Sequence, residues 1–197
     1  MKLLGAGALR QEQFAYYLKQ DYLFLIQFAR AQALVGAKSS TMPDIVASAK
    51  IVNHIHEEMS LHINYCYSFG ISEPEILSTE EDIACTAYTR YVLDVGQSHD
   101  VLGLLVATAP CLFGYHEIGR WLLEDPATKR EGNPYLKWMQ NYGESTEYVD
   151  AVKVGRELLE RKIRAAGVDR LEELVGIFAH ASKMEAGFWK MGLEGPA

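Results

Sequence analysis

A cysteine follows a proline inside an apolar run, Ala107-Thr-Ala-Pro-Cys-Leu-Phe-Gly-Tyr-His-Glu-Ile-Gly119. Proline removes one helical hydrogen bond and crowds the preceding turn, at a cost of about 3 kcal/mol in a regular helix. The run is otherwise helical in pattern. Pro110 therefore marks either a tolerated defect or a bend that aims the thiol of Cys111. Cysteine is ordinarily a small buried hydrophobe, and these residues alone leave both readings open. Tyr115 stands one turn beyond Cys111 and shares its face.

Two acids have unusual settings. Asp21 interrupts an aromatic-rich stretch, and Glu185 lies four residues before Trp189. Helical charges are usually solvated, whereas a buried carboxylate needs a partner and shifts its pKa. One such acid could hold the amidine-like edge of a heterocycle; another could exchange a proton with a thiol. The chain has 11 tyrosines. Tyr88, Tyr115 and Tyr142 are either core aromatics with satisfied hydroxyls or the walls of a flat pocket.

The histidines raise a metal reading. His54 and His56 point to different sides of a helix, while Glu58 and His62 share a face. A carboxylate-bridged di-iron site would need acids and Glu-x-x-His pairs on several helices. That set is not found, so Glu58 with His62 reads as an internal polar contact and no metal is expected. Gly-x-Ser-x-Gly, His-Glu-x-x-His and a glycine-rich phosphate loop are also missing.

Helices must position these groups. Residues 9–35 carry Phe14, Leu18, Tyr22, Leu25, Phe28 and Ala29 on one stripe, which Gln32 interrupts. Residues 42–68 form a second helix, with Pro43 in its first turn and Gly70 past its end. Ile71 to Leu77 is a connector. Ser78-Thr-Glu-Glu81 has the form of a capping box for a third helix ending near Val95. A fourth helix opens at Ser98 or His99 and ends near Leu123. A polar loop covers 125–134, followed by helices over 135–142 and 145–165. Asp169 with Glu172 is expected to cap a last helix to about Met191. The expected architecture is an all-α bundle, with residues 1–197 as one domain.

Bulk properties agree. The chain has 197 residues, 49% of them hydrophobic and 23% charged, with a net charge of -7. That balance suits a folded globular chain and favours neither nucleic acid nor an anionic membrane surface as partner. No segment reads as a membrane span, the best candidate being bracketed by Asp100 and Glu117. The 3 cysteines are too few and odd in number for a disulfide framework, so reduced thiols and a cytoplasmic location are expected.

Several stretches together resemble the TenA family, the thiaminase II enzymes of thiamine metabolism. They are Phe14 to Leu25, Glu58-Met-Ser-Leu-His62, Ala87-Tyr-Thr-Arg-Tyr91, Ala109 to Gly119, Tyr135 to Gly143 and Glu185-Ala-Gly-Phe-Trp189. They occur in the family's order and cover nearly the whole chain. The resemblance implies a haem-oxygenase-like bundle, a homotetramer and a pocket for an aminopyrimidine. It implies that Cys111 is the nucleophile, that Glu185 gives and takes protons, and that Asp21 binds the amino group and ring nitrogen. Tyr88, Tyr115, Tyr142 and Phe188 would line the pocket. Phe24 stands where the family often has tyrosine, so one hydroxyl is missing. The implied reaction is hydrolysis of aminomethylpyrimidine, thiamine or both to hydroxymethylpyrimidine, in thiamine salvage, without a cofactor. The alternatives are a non-catalytic pyrimidine-binding or regulatory protein, a haem-oxygenase-like oxidase with a metal or cofactor, and a purely structural helical partner. The amino end departs from the family, which generally has a further helix before the segment seen here as Gly7-Ala-Leu9; part of that helix is expected to be lacking. Such domains also occur fused to a pyrimidine kinase in fungi.

Overall fold

The computed structural model describes residues 1–195, and among them there is no strand. The helices are α1 (Lys2–Gly5), α2 (Gln11–Lys38), α3 (Met42–Ser68), α4 (Glu73–Leu77), α5 (Ile83–Ser98), α6 (Val101–Glu124), α7 (Leu136–Glu144), α8 (Thr146–Ala165) and α9 (Leu171–Glu194). A 3₁₀ turn, Val168–Arg170, precedes α9. The short α1 lies ahead of Gly7, whose φ of 67° is one that glycine accepts without strain.

Helices α2 and α6 are the two hubs. The first packs against α3, α5, α6 and α9, and the second touches α1, α2, α5, α7, α8 and α9. The stripe on α2 buries Phe14, Leu18, Leu25 and Phe28, while Tyr22 and Ala29 are half-buried. The polar residue that should interrupt it, Gln32, is buried as well. Helix α6 runs unbroken through Pro110, so the proline causes no break in the helix.

This helix also corrects one expectation. By length and hydropathy Val101–Glu124 could cross a membrane, because the apolar run continues past Glu117. In the bundle 72% of its most apolar window is buried. Its apolar character is thus used against neighbouring helices.

Helix starts show what capping chemistry decides. Ser78 and Thr79 do not open α5. Thr79 Oγ1 instead donates to the Glu75 carbonyl at 2.7 Å, closing α4 within the expected connector. Glu81 pairs with Arg90 at 2.6 Å. Asp82 is the cap, accepting from the Ala84 N–H at 2.8 Å. Buried Gln20 fixes this junction by donating to the Glu80 carbonyl and accepting from the Asp82 N–H, both at 2.9 Å. Helix α6 likewise starts later than Ser98 or His99, capped by Asp100, which accepts from Gly103 N–H at 3.0 Å. Asp169 does not cap α9; it lies in the 3₁₀ turn, and Arg170 bridges to Asp100 and Glu173 instead.

Glycines set the closest crossings. A Cβ on Gly119 would lie 2.6 Å from the Gly143 nitrogen, so α6 and α7 touch backbone to backbone. A Cβ on Gly155 would meet Leu112 Cδ2 at 2.4 Å, drawing α8 onto α6 beside Cys111.

Candidate active site

Helical spacing brings polar groups to one interior region. Tyr17, Asp21 and Phe24 follow one another on the buried face of α2. Helix α3 adds Glu58 and His62, α5 adds Tyr88, and α6 adds Cys111 and Tyr115. Trp138 and Tyr142 come from α7, Tyr148 from α8, and Glu185, Phe188 and Trp189 from α9.

Asp21 is 2% exposed and anchored on one side. Its Oδ2 lies 3.2 Å from His62 Nε2 and accepts from the Tyr17 hydroxyl at 3.2 Å. That hydroxyl accepts from Trp138 Nε1 at 3.4 Å and lies 3.4 Å from the Tyr115 hydroxyl. Among the described residues none donates to Oδ1. Burial disfavours the His62 cation, but the adjoining Asp21 carboxylate and nearby Glu58 more than offset it, so its pKa is raised. The result is a carboxylate with one oxygen spent on the protein and one available to a ligand. His62 was expected as a partner of Glu58; its shortest contact is with Asp21.

Cys111 lies in a small cavity that Asp21, His54, Glu58, Tyr115, Tyr142 and Tyr148 line, with Leu25, Phe28, Ile51 and Ile55 on its apolar side. It does not face a sealed apolar core. Burial pushes its thiol well above the usual range, and Glu185, Asp21 and Glu58 push it further. No lysine or arginine lines the cavity. The thiol therefore sits in a field that favours cations and opposes the thiolate.

Glu185 lies nearby among aromatics. Burial raises it to about 8, with Asp21 adding to the rise, while the flanking Tyr88 hydroxyl and Trp189 indole oppose it. Glu185 Oε2, the Tyr88 hydroxyl and Trp189 Nε1 are all buried and lack a hydrogen-bond partner of good geometry. Such unmet polar atoms are uncommon in a folded interior. No hydrogen bond joins Cys111 to Glu185, which corrects the expected direct contact: Glu185 is turned into the Tyr88–Trp189 cluster.

The aromatic groups form a continuous wall. Tyr17 stacks on Trp189 with centroids 5.1 Å apart, and Tyr115 meets Tyr142 at 4.9 Å and Trp189 at 5.0 Å. Phe24 packs on Tyr88 at 5.0 Å and on Phe188 at 5.4 Å. Asp21, Cys111, Tyr115 and Tyr142 thus share the cavity, whereas Phe24, Tyr88, Glu185 and Phe188 form the adjoining layer. The free space is about 20 Å³, room for roughly one water. The expected gap one flat ring wide is not open, because the aromatic side chains fill it. A ring must displace some of them on entry.

Six contributors lay outside the set of expected site residues: Tyr17, Glu58, His62, Trp138, Tyr148 and Trp189. The Glu58–His62 spacing was the available signal, and it pointed to a shared face without revealing what lay opposite.

The site and the bundle place the chain in a class. Residues 1–195 match the model of the TENA/THI-4/PQQC family, and the chain belongs to that family. A Schizosaccharomyces pombe protein named for hydroxymethylpyrimidine/phosphomethylpyrimidine kinase activity is 43% identical over 95% of this chain, which spans 34% of that protein. An aminopyrimidine aminohydrolase from Halalkalibacterium halodurans is 32% identical, across 95% of this chain and 84% of its own length. Among solved structures, a TenA family transcription regulator from Silicibacter sp. TM1040 superimposes with a TM-score of 0.90 at 41% identity, over 97% of this chain and 86% of that one.

Proposed function

We propose that this chain is a hydrolase of thiamine salvage. It converts aminomethylpyrimidine, and thiamine to an extent that the leaving-group site decides, to hydroxymethylpyrimidine. The observation that carries the reading is a buried thiol surrounded by carboxylates and aromatic rings, with no lysine or arginine lining its cavity. Such a site is made for a flat cationic ligand.

In this reading Asp21 Oδ1 accepts from the amino group and protonated nitrogen of the ring, while His62 and Tyr17 hold Oδ2. Tyr88, Tyr115 and Tyr142 enclose the ring, with Phe24 and Phe188 as apolar backing. The positive ring offsets the field that opposes the thiolate. As the entering ring displaces the aromatic side chains, Glu185 turns from Tyr88 and Trp189 to take the thiol proton, and Sγ bonds to the ring. The electron pair gained by the ring expels the group on the exocyclic methylene: an amine leaves with the proton that Glu185 took from the thiol, whereas a thiazolium leaves as the neutral thiazole and Glu185 gives that proton to solvent. Water then adds to that methylene and gives a proton to Glu185. Expulsion of Sγ restores the aromatic ring, and Glu185 returns its proton to the thiolate. The sum is aminomethylpyrimidine plus water giving hydroxymethylpyrimidine plus ammonia, or thiamine plus water giving hydroxymethylpyrimidine, the thiazole and a proton, with no need of a cofactor. A carboxyl near 8 is matched to both proton transfers at neutral pH.

We read the bundle as haem-oxygenase-like, residues 1–197 as one unit, and the working form as a cytoplasmic homotetramer. Leu171, Val175 and Phe178 support assembly: they form an exposed apolar stripe along α9. The test of function is an assay of the purified protein with aminomethylpyrimidine and with thiamine. Release of hydroxymethylpyrimidine from at least one is expected. Binding of the ring without turnover of either would favour the regulatory reading.

A further inference from the structure

The cavity around Cys111 and a wide groove between α3 and α7 meet at two residues, Glu58 and Tyr142. The groove has a volume of about 580 Å³ and is lined in part by Asn64, Tyr65, Lys137, Trp138 and Asn141. Glu58 is 6% exposed. Among the described residues its only ion-pair contact is His54 Nε2, at 3.9 Å, and the neutral Tyr142 hydroxyl is the one side chain that favours its carboxylate by hydrogen bonding. Burial lowers the pKa of His54, so its ring is a poor counter-ion.

Two other buried acids, Asp44 and Asp21, differ. Asp44 is held by Lys162 at 2.6 Å and Arg161 at 2.9 Å, as expected of a structural buried carboxylate. Asp21 has His62 and Tyr17. Glu58 has the Tyr142 hydroxyl but no cation that close, and the chemistry above gives it no proton to move. An apolar residue would fill this place on α3 at less cost to folding. A cation delivered from solution would explain its retention. Because Cys111 lines the same cavity, the space next to the attacked ring also holds the Glu58 carboxylate.

We propose that Glu58 is a specificity-determining residue, binding the ammonium of an exocyclic aminomethyl group at the junction of cavity and groove. The inference rests on the hydrolase reading for its substrate class. A primary ammonium donates hydrogen bonds to a carboxylate, and such charge-assisted bonds are strong. A thiazolium has no N–H to donate. Glu58 thus selects a small amine as the leaving group over a heterocycle, and the groove takes the amine away.

Calorimetric titration separates this assignment from the hydrolase reading. It is done in Cys111→Ser protein, with aminomethylpyrimidine and the neutral hydroxymethylpyrimidine as ligands. Glu58→Gln should weaken the aminomethyl compound by about tenfold or more and the hydroxymethyl compound by less than about threefold. Equal losses for both ligands, or no loss for either, would overturn the proposal. Glu58→Leu repeats the comparison without a buried polar group, should Gln impair folding. Turnover by the unmodified protein tests the hydrolase reading separately.

Discussion

Asp21 and Glu185 illustrate how the same side-chain chemistry takes two roles from its surroundings. Asp21 has a histidine and a hydroxyl on one oxygen, which leaves the other for the ring edge in the proposed reaction. Glu185 is packed among aromatics and holds its proton to about 8. His62→Gln removes the charge that steadies Asp21; KM for the ring should rise about tenfold with a smaller change in kcat, read by steady-state kinetics. The raised acids also set a pH dependence. Glu185 rises to about 8 and Glu58 to about 7 from an ordinary 4.5. Between those values the folded chain binds more protons than the unfolded chain, so their contribution to stability falls as pH rises from about 4.5 to about 8. Glu185→Gln should therefore gain stability relative to the unmodified protein between pH 6 and pH 9, measured by urea midpoints. An unchanged difference would mean that the carboxyl is not buried as described.

At the level of helices, the site depends on close crossings that no single residue type announces. Gly119 and Gly143 bring α6 and α7 into backbone contact, and Tyr142, next to Gly143, lines the cavity with Cys111. Gly119→Ala should destabilise by about 1–3 kcal/mol and depress activity, because a methyl there meets backbone that cannot turn aside. Gly114→Ala is the control on the same helix: nothing lies within 4 Å, and helix propensity should leave it neutral or slightly more stable. Thermal unfolding and activity of the pair check both. The helical order was legible because period and punctuation are local signals, and α3 falls where its pattern put it, at Met42–Ser68. The start of α5 was not, since Ser78 and Asp82 both offer caps and the contact from Gln20 favours the later one. The sequence order of Cys111, Asp21 and Glu185 could be matched to a family. The Asp21–His62 pair and the turning of Glu185 toward Tyr88 arise between helices distant in sequence, and spacing along one helix does not encode them.

For the whole molecule, charge and apolar surface suggest how the chain works with others. A net charge of -7 helps cationic substrates approach. The stripe of Leu171, Val175 and Phe178 lies along α9, the helix that also carries Glu185. Light scattering during size exclusion should give four copies, and Phe178→Glu should lower that number while leaving each chain folded. A monomer in the unmodified protein would remove assembly from the reading. The central claim is that hydrolysis runs through the Cys111 thiol inside this acid-lined cavity. Its most direct test is release of hydroxymethylpyrimidine by the unmodified protein and by Cys111→Ser, with ring binding followed in parallel. The unmodified protein should turn over, and the serine variant should bind the ring yet fall by about a thousandfold or more in kcat. Serine turnover within tenfold of the unmodified rate would contradict the claim.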